Sequence, residues 1–140
     1  DVQIAKQARN LGIKAQIVGA DGWDGATSVA GNDASAIEGV IFINQYSPDM
    51  ESVQDIMKKY KEKFGTDINS FGINAYDSTM LLLQTIEKVG SLKASDIVKG
   101  IASTDYKGIL GSISFDSNGD PIKEPVFVQI KNGQYTTYKK

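Results

Sequence analysis

Apolar residues recur at helical spacing from the second position: Val2, Ile4, Ala5, Ala8 and Leu11 mark a first helix. Gly12 follows where a C′ glycine with positive φ ends a helix. Residues 13–18 then alternate as a short strand, with Ile13, Ala15 and Ile17 on one face. A glycine-dense loop, 19–25, and a small, polar helix-and-turn segment over 26–36 follow. The run Gly39-Val40-Ile41-Phe42-Ile43-Asn44 is continuously apolar between polar flanks, the pattern of a strand buried on both faces in a parallel sheet.

The next helix opens at Ser47-Pro48-Asp49, with Ser47 as cap and Pro48 in the first turn. Its buried stripe is Met50, Val53, Ile56, Met57, Tyr60 and Phe64, and Gly65 stops it. Asn69 or Ser70 caps a longer helix that runs to about Val89 and ends at Gly90. Apolar residues cover most of its circumference, which predicts burial on several sides. A short helix is expected over 94–102. The pattern then changes to strands over 112–115, 126–131 and 134–138, with Pro125 at a strand start or on an edge. Asn132-Gly133 signals a two-residue hairpin, because both central positions of a type I′ turn need positive φ. The element order predicts an α/β domain, a parallel sheet flanked by helices with C-terminal antiparallel strands.

Length and composition agree with a folded chain: 140 residues, 41% hydrophobic, 23% charged, net charge −2. Apolar runs such as 40–43 and 80–83 reach four members, far short of a membrane span. The near-neutral balance gives no basic field for nucleic acid. With no Cys there is no disulfide or thiolate site, and with no His the commonest general base and zinc ligand are missing. A carboxylate or lysine enzyme is not excluded. Charge is uneven: residues 1–57 hold three basic and eight acidic side chains, net −5, against +3 for the remainder. The chain opens inside a helix without an initiator Met or a signal peptide, which reads as a piece of something longer.

The loop Gly19-Ala20-Asp21-Gly22-Trp23-Asp24-Gly25 is the strongest candidate site. It follows a strand expected to be parallel, and in open α/β sheets ligands bind beyond the carboxyl ends of strands. Glycines let backbone approach a ligand, Asp21 can hold a cation, and Trp23 can cover an apolar or cationic group. The competing reading is a plain strand-to-helix turn in which Asp21 or Asp24 caps the helix. Two aspartates disfavour phosphate, and the loop matches neither a P-loop nor a dinucleotide fingerprint. Asp116-Ser117-Asn118-Gly119-Asp120 suggests a calcium loop, but Pro125 stands where the bidentate Glu belongs, so a turn is expected. Lys58, Lys59, Lys61 and Lys63 read as a solvated helix face, and Tyr76-Asp77 as a buried hydrogen-bonded pair. Two function classes remain: a module binding a small zwitterion or cation through Asp21, which is preferred, and an enzyme using Asp21 and Asp24 as acid and base.

Several stretches together resemble the branched-chain amino-acid (leucine/isoleucine/valine-type) binding proteins of ABC importers, type I periplasmic solute-binding proteins. They are Ile4-Ala5-Lys6-Gln7-Ala8-Arg9-Asn10-Leu11-Gly12-Ile13, Gly19-Ala20-Asp21-Gly22-Trp23, Glu38-Gly39-Val40 and Tyr46-Ser47-Pro48. The series continues with Tyr60-Lys61-Glu62-Lys63-Phe64-Gly65, Ala75-Tyr76-Asp77-Ser78, Gly111-Ser112-Ile113-Ser114-Phe115-Asp116 and Asn118-Gly119-Asp120-Pro121. The resemblance spans the chain but only the C-terminal part, less than half, of such a receptor. It implies two α/β lobes, both incomplete here: 1–44 and 126–140 in the C-terminal lobe, 45–125 in the N-terminal lobe, with crossovers near 44–46 and 124–127.

The same resemblance implies that Asp21 holds the ligand's α-ammonium and that Gly22 and Trp23 lie beside it, Trp23 as a pocket wall. It implies no enzyme activity, no cofactor and no metal, an amino-acid ligand, and ABC transporter permease subunits as partners. Related receptors take amides or aromatic acids. The location implied is extracytoplasmic, in the periplasm or on the cell surface as a lipoprotein, with any membrane anchor upstream of this chain. A fragment that lacks its covering elements is expected to self-associate, with 39–44 and the 70–89 helix most exposed.

Overall fold

The first helix, α1 (Val2–Asn10), ends as its sequence dictates. In the computed structural model, which describes residues 1–139, Gly12 takes φ +77°. Its N–H donates to the Arg9 carbonyl, and the Ile13 N–H donates to that of Ala8. These paired bonds satisfy the carbonyls that a helix end leaves open. The chain divides into two units, Asp1–Gln54 with the residues from Pro125 onward, and Asp55–Glu124.

In the first unit, α1 is followed by β1 (Val18–Gly19), a 3₁₀ turn (Asp21–Trp23), α2 (Ala26–Ala30), α3 (Ala34–Ile37) and β2 (Ile41–Asn44). The unit is completed by β6 (Val126–Lys131) and β7 (Gln134–Thr137). The sheet order is β1-β2-β6-β7, with β1–β2 parallel and the other pairs antiparallel, so the sheet is mixed. Phe42 stands opposite Val128 and Ile43 opposite Phe127. Successive residues point to opposite faces, so Val40, Phe42, Val128 and Ile130 meet Val2, Ala5, Trp23, Ala26, Ala30 and Ile37 in one core. The other face is bare: Ile43 and Phe127 are each nearly half exposed. The expectation of burial on both faces therefore fails for β2, because helix cover reaches one side only.

The expected strand over 13–18 shrinks to Val18–Gly19. Side chains take up carbonyls that a neighbouring strand would otherwise use. The Arg9 guanidinium donates to the carbonyls of Ile13 (2.7 Å) and Ala15 (3.0 Å), and the Gln16 amide donates to that of Gly39 (2.7 Å). The Asn132-Gly133 turn has φ of +53° and +72°, as its residue types require. The Glu38 carboxylate accepts from both turn N–H groups, at 2.8 and 3.4 Å.

The helix expected from Pro48 begins later, as α4 (Glu51–Phe64), which crosses from the first unit into the second. Asp49 is not in its first turn; its carboxylate accepts the N–H and hydroxyl of Thr137. Of the expected α4 stripe only Val53 is buried, and Phe64 is exposed. The second unit adds α5 (Ser70–Val89), α6 (Ala94–Ala102), β3 (Tyr106–Gly108), β4 (Gly111–Phe115) and β5 (Pro121–Ile122), with antiparallel sheet order β3-β4-β5. Asn69 caps α5 by accepting from the Gly72 N–H at 3.0 Å, and Gly90 ends it at φ +63°. Burial on several sides is not found: Ile73, Asp77 and Thr85 are buried, while Phe71 and Leu83 are exposed.

Asp77 fastens this unit together. Its carboxylate accepts from the Tyr106 hydroxyl (2.9 Å) and the N–H groups of Ile109 (3.0 Å) and Leu110 (3.3 Å). A Cβ at Gly108 would fall on that carboxylate. The tyrosine paired with Asp77 is thus Tyr106, and the expected Tyr76 is exposed instead. At the other turn, Asp116 Oδ1 accepts from the N–H groups of Asn118 (2.8 Å) and Asp120 (2.9 Å).

Candidate functional site

The glycine-dense loop folds as a 3₁₀ turn at the C-terminal end of β1. The Trp23 N–H donates to the Ala20 carbonyl and the Asp24 N–H to that of Asp21, which closes the turn. Ala20 is its N-cap, and Gly25, at φ +85°, is the N-cap of α2. No side-chain capping bond is present at either start. The capping explanation for Asp21 and Asp24 is therefore removed.

The three residues singled out from sequence occupy different places. Asp21 is exposed, and among the described residues its carboxylate has neither a hydrogen-bond nor an ion partner. Gly22 is exposed and joins Asp1, Val2, Asp24 and Ser28 in lining an open cavity of about 520 Å³. Trp23 is in the core, with its indole over Gly19 so closely that a Cβ there would collide with Nε1 and Cδ1. The structure seats that indole inward, against the core.

Around the turn the environment is electronegative and partly dry. Oδ2 of Asp24 is buried and makes no hydrogen bond. Tyr46 is buried, and its hydroxyl pKa is pushed up to about 12 by that burial, then by the neighbouring Asp24 and Tyr135. The lysine-rich face of α4 is locally balanced: Lys59 meets Asp55 at 2.6 Å and Lys61 meets Asp67 at 2.8 Å. Among the described residues no group of three acidic side chains could hold a metal ion.

One contributor escaped the sequence reading. The Tyr135 hydroxyl, on β7, accepts from the Thr27 N–H at 3.0 Å and donates to the Trp23 carbonyl at 3.1 Å. Local pattern carries no sign of it, because the partners lie 108 and 112 residues away.

A family model described as "Periplasmic binding protein" matches residues 1–134. The chain is 27% identical over 147 aligned residues to the Leu/Ile/Val-binding protein homolog 2 of Brucella abortus, covering 98% of this chain and 38% of that protein. It is similar to the crystal structure of a leucine-binding protein from Thermotoga maritima, with TM-score 0.81 and 32% identity, covering 99% of this chain and 40% of the other. It is also similar to a branched-chain amino acid transporter substrate-binding protein from Streptococcus pneumoniae, solved in complex with isoleucine, with TM-score 0.79 and 26% identity over 99% of this chain and 41% of the other. The chain thus spans about two fifths of the length of each relative.

Proposed function

The chain belongs to the periplasmic binding protein family, and from that premise we propose that it is part of an extracytoplasmic receptor that captures a branched-chain or related amino acid for an ABC importer. Asp21 is the contact for the ligand's α-ammonium. The observation that carries this is an exposed carboxylate, without a partner among the described residues, on a turn closed by its own backbone at the end of a parallel strand. Neither a capping role nor an ion pair accounts for it. Gly22 lets the backbone come close to the ligand, and Trp23 backs the turn from the core. Residues 1–44 and 126–140 belong to the C-terminal lobe of the receptor and residues 45–125 to the N-terminal lobe. The receptor performs no chemistry on its ligand and hands it to the permease subunits of the importer. It works in the periplasm or, as a lipoprotein, at the cell surface.

Calorimetry on the intact receptor, wild type against Asp21→Ala, tests this reading with leucine, isoleucine and valine. A charge-assisted hydrogen bond contributes about 1.5–3 kcal/mol, so affinity should fall roughly ten- to a hundredfold. Unchanged affinity rejects the role of Asp21. Tighter binding of an amide or an aromatic acid, titrated beside them, moves the receptor to that ligand class, and turnover of any ligand revives an enzyme.

The 140-residue chain alone self-associates. Ile4, Leu11, Val18 and Phe127 in the first unit, and Phe71, Leu83, Leu92 and Val98 in the second, stand open to solvent. Monomers with that much apolar surface bury it against another copy. Sedimentation at micromolar concentration should show oligomers, and a cooperatively folded monomer refutes the idea.

A further inference from the structure

We propose that Tyr135 is a positioning residue for Asp21, holding through its hydroxyl the turn that presents the carboxylate; this rests on the reading of Asp21 as the ammonium contact. Asp21 has no side-chain bond of its own among the described residues, so its placement depends wholly on the backbone beneath it. That backbone has two anchors. Before Asp21, Gly19 pairs with Phe42 of β2 and lies under the Trp23 indole, where no larger residue fits.

After Asp21, the chain must pass from the 3₁₀ turn into α2 through Gly25, which has no side chain to satisfy the first N–H groups of the helix. Tyr135 supplies what Gly25 lacks. One oxygen takes the Thr27 N–H and gives its own proton to the Trp23 carbonyl, so it clamps the segment on both sides of Asp24-Gly25. The ring itself is held. Tyr135 pairs with Ile130 of β6 and stands edge-on to Phe42, with ring centroids 5.6 Å apart at 78°. Rigid support behind a recognition group is what keeps it in productive geometry.

The intact receptor tests this through a double-mutant cycle with leucine as the titrated ligand. Tyr135→Phe removes only the oxygen. It should weaken leucine about three- to tenfold when Asp21 is present, and change affinity by less than about twofold on top of Asp21→Asn. A role confined to fold stability does not produce that dependence on Asp21. Equal weakening in both backgrounds overturns the proposal, as does no weakening in either while Asp21→Asn alone weakens binding; that second result leaves the Asp21 reading intact. If Asp21→Asn alone has no effect, both readings fall together. Should Tyr135→Phe not fold, Thr27→Pro takes its place. It deletes the same donor N–H, in a first helical turn whose N–H groups have no intrahelical acceptor, and must reproduce the same Asp21-dependent loss or the proposal is overturned.

Discussion

Replacing Gly19 by alanine should eject the Trp23 indole. The added methyl would fall on Nε1 and Cδ1 of that ring, well inside the roughly 3.5–4.0 Å at which carbon atoms rest against each other. The indole has little room to retreat. It is 7% exposed and shares its core with Phe42, Val40 and Ile37, each at 1% or below. Overpacking of this kind costs about 1–3 kcal/mol. For a chain of about this length each kcal/mol lowers the melting temperature by roughly 2–4 °C, so a drop of about 2–12 °C is expected. Trp23 is the chain's one tryptophan, so the same displacement should shift its emission to the red. Gly12→Ala is the control. Gly12 has φ +77° and open space around it, so alanine there costs about 1–2 kcal/mol of backbone strain and leaves the emission unmoved. Unchanged melting and emission in Gly19→Ala, or an equal emission shift in Gly12→Ala, would refute the reasoning.

Asp49 ties the segment after β2 to β7. Burial works against its charged form, but the hydrogen bonds it accepts from the Thr137 N–H and hydroxyl outweigh that and hold its carboxyl below the usual range. A depressed folded value means its stabilisation is present above the unfolded value near pH 4 and fades as pH falls through the folded one. Asp49→Asn should therefore melt lower than wild type at neutral pH, with the gap closing in acid; a gap constant down to about pH 2.5 contradicts this. Two tyrosines should resist ionisation. Tyr46 is raised to about 12, and Tyr106 is raised by burial and by its bond to Asp77. Their folded state holds the proton more tightly, so that stability is lost as pH climbs above the ordinary value of about 10. A spectrophotometric titration in which all six tyrosines ionise by about pH 11 in the folded chain rules this out.

What the sequence made legible is local. Gly12, Asn69, Gly90 and Asn132-Gly133 act within a few residues of themselves, and each does in the structure what its chemistry dictates. The start of α4 was misread because Ser47-Pro48-Asp49 has the composition of a helix start, while Asp49 is engaged by Thr137, 88 residues away. The buried faces of β2 and α5 were overestimated for a related reason. Periodicity reports which residues suit an interior, and whether an element lies over them is settled elsewhere. At the site, Asp21 stood out by its glycine-flanked position and by resemblance. The Trp23 indole lies in the core, and nothing near Tyr135 in the sequence signals its bonds to the turn, whose partners are more than a hundred residues away.

The first unit is discontinuous in the chain, and this orders its assembly in time. β2 pairs with β6 across an intervening stretch that contains the whole second unit, with Ile41 opposite Gln129. On a ribosome the second unit has all its strands by Ile122, while the sheet of the first still waits for β6. Closing so long a loop slows its pairing, and β2 has only β1 beside it meanwhile. The Asp21 turn is synthesised well before Tyr135 and is clamped only once that residue has emerged. A nascent chain would therefore fix its proposed ligand contact only after the whole second unit has been made, with the edge of β2 that takes β6 open to chaperones until then.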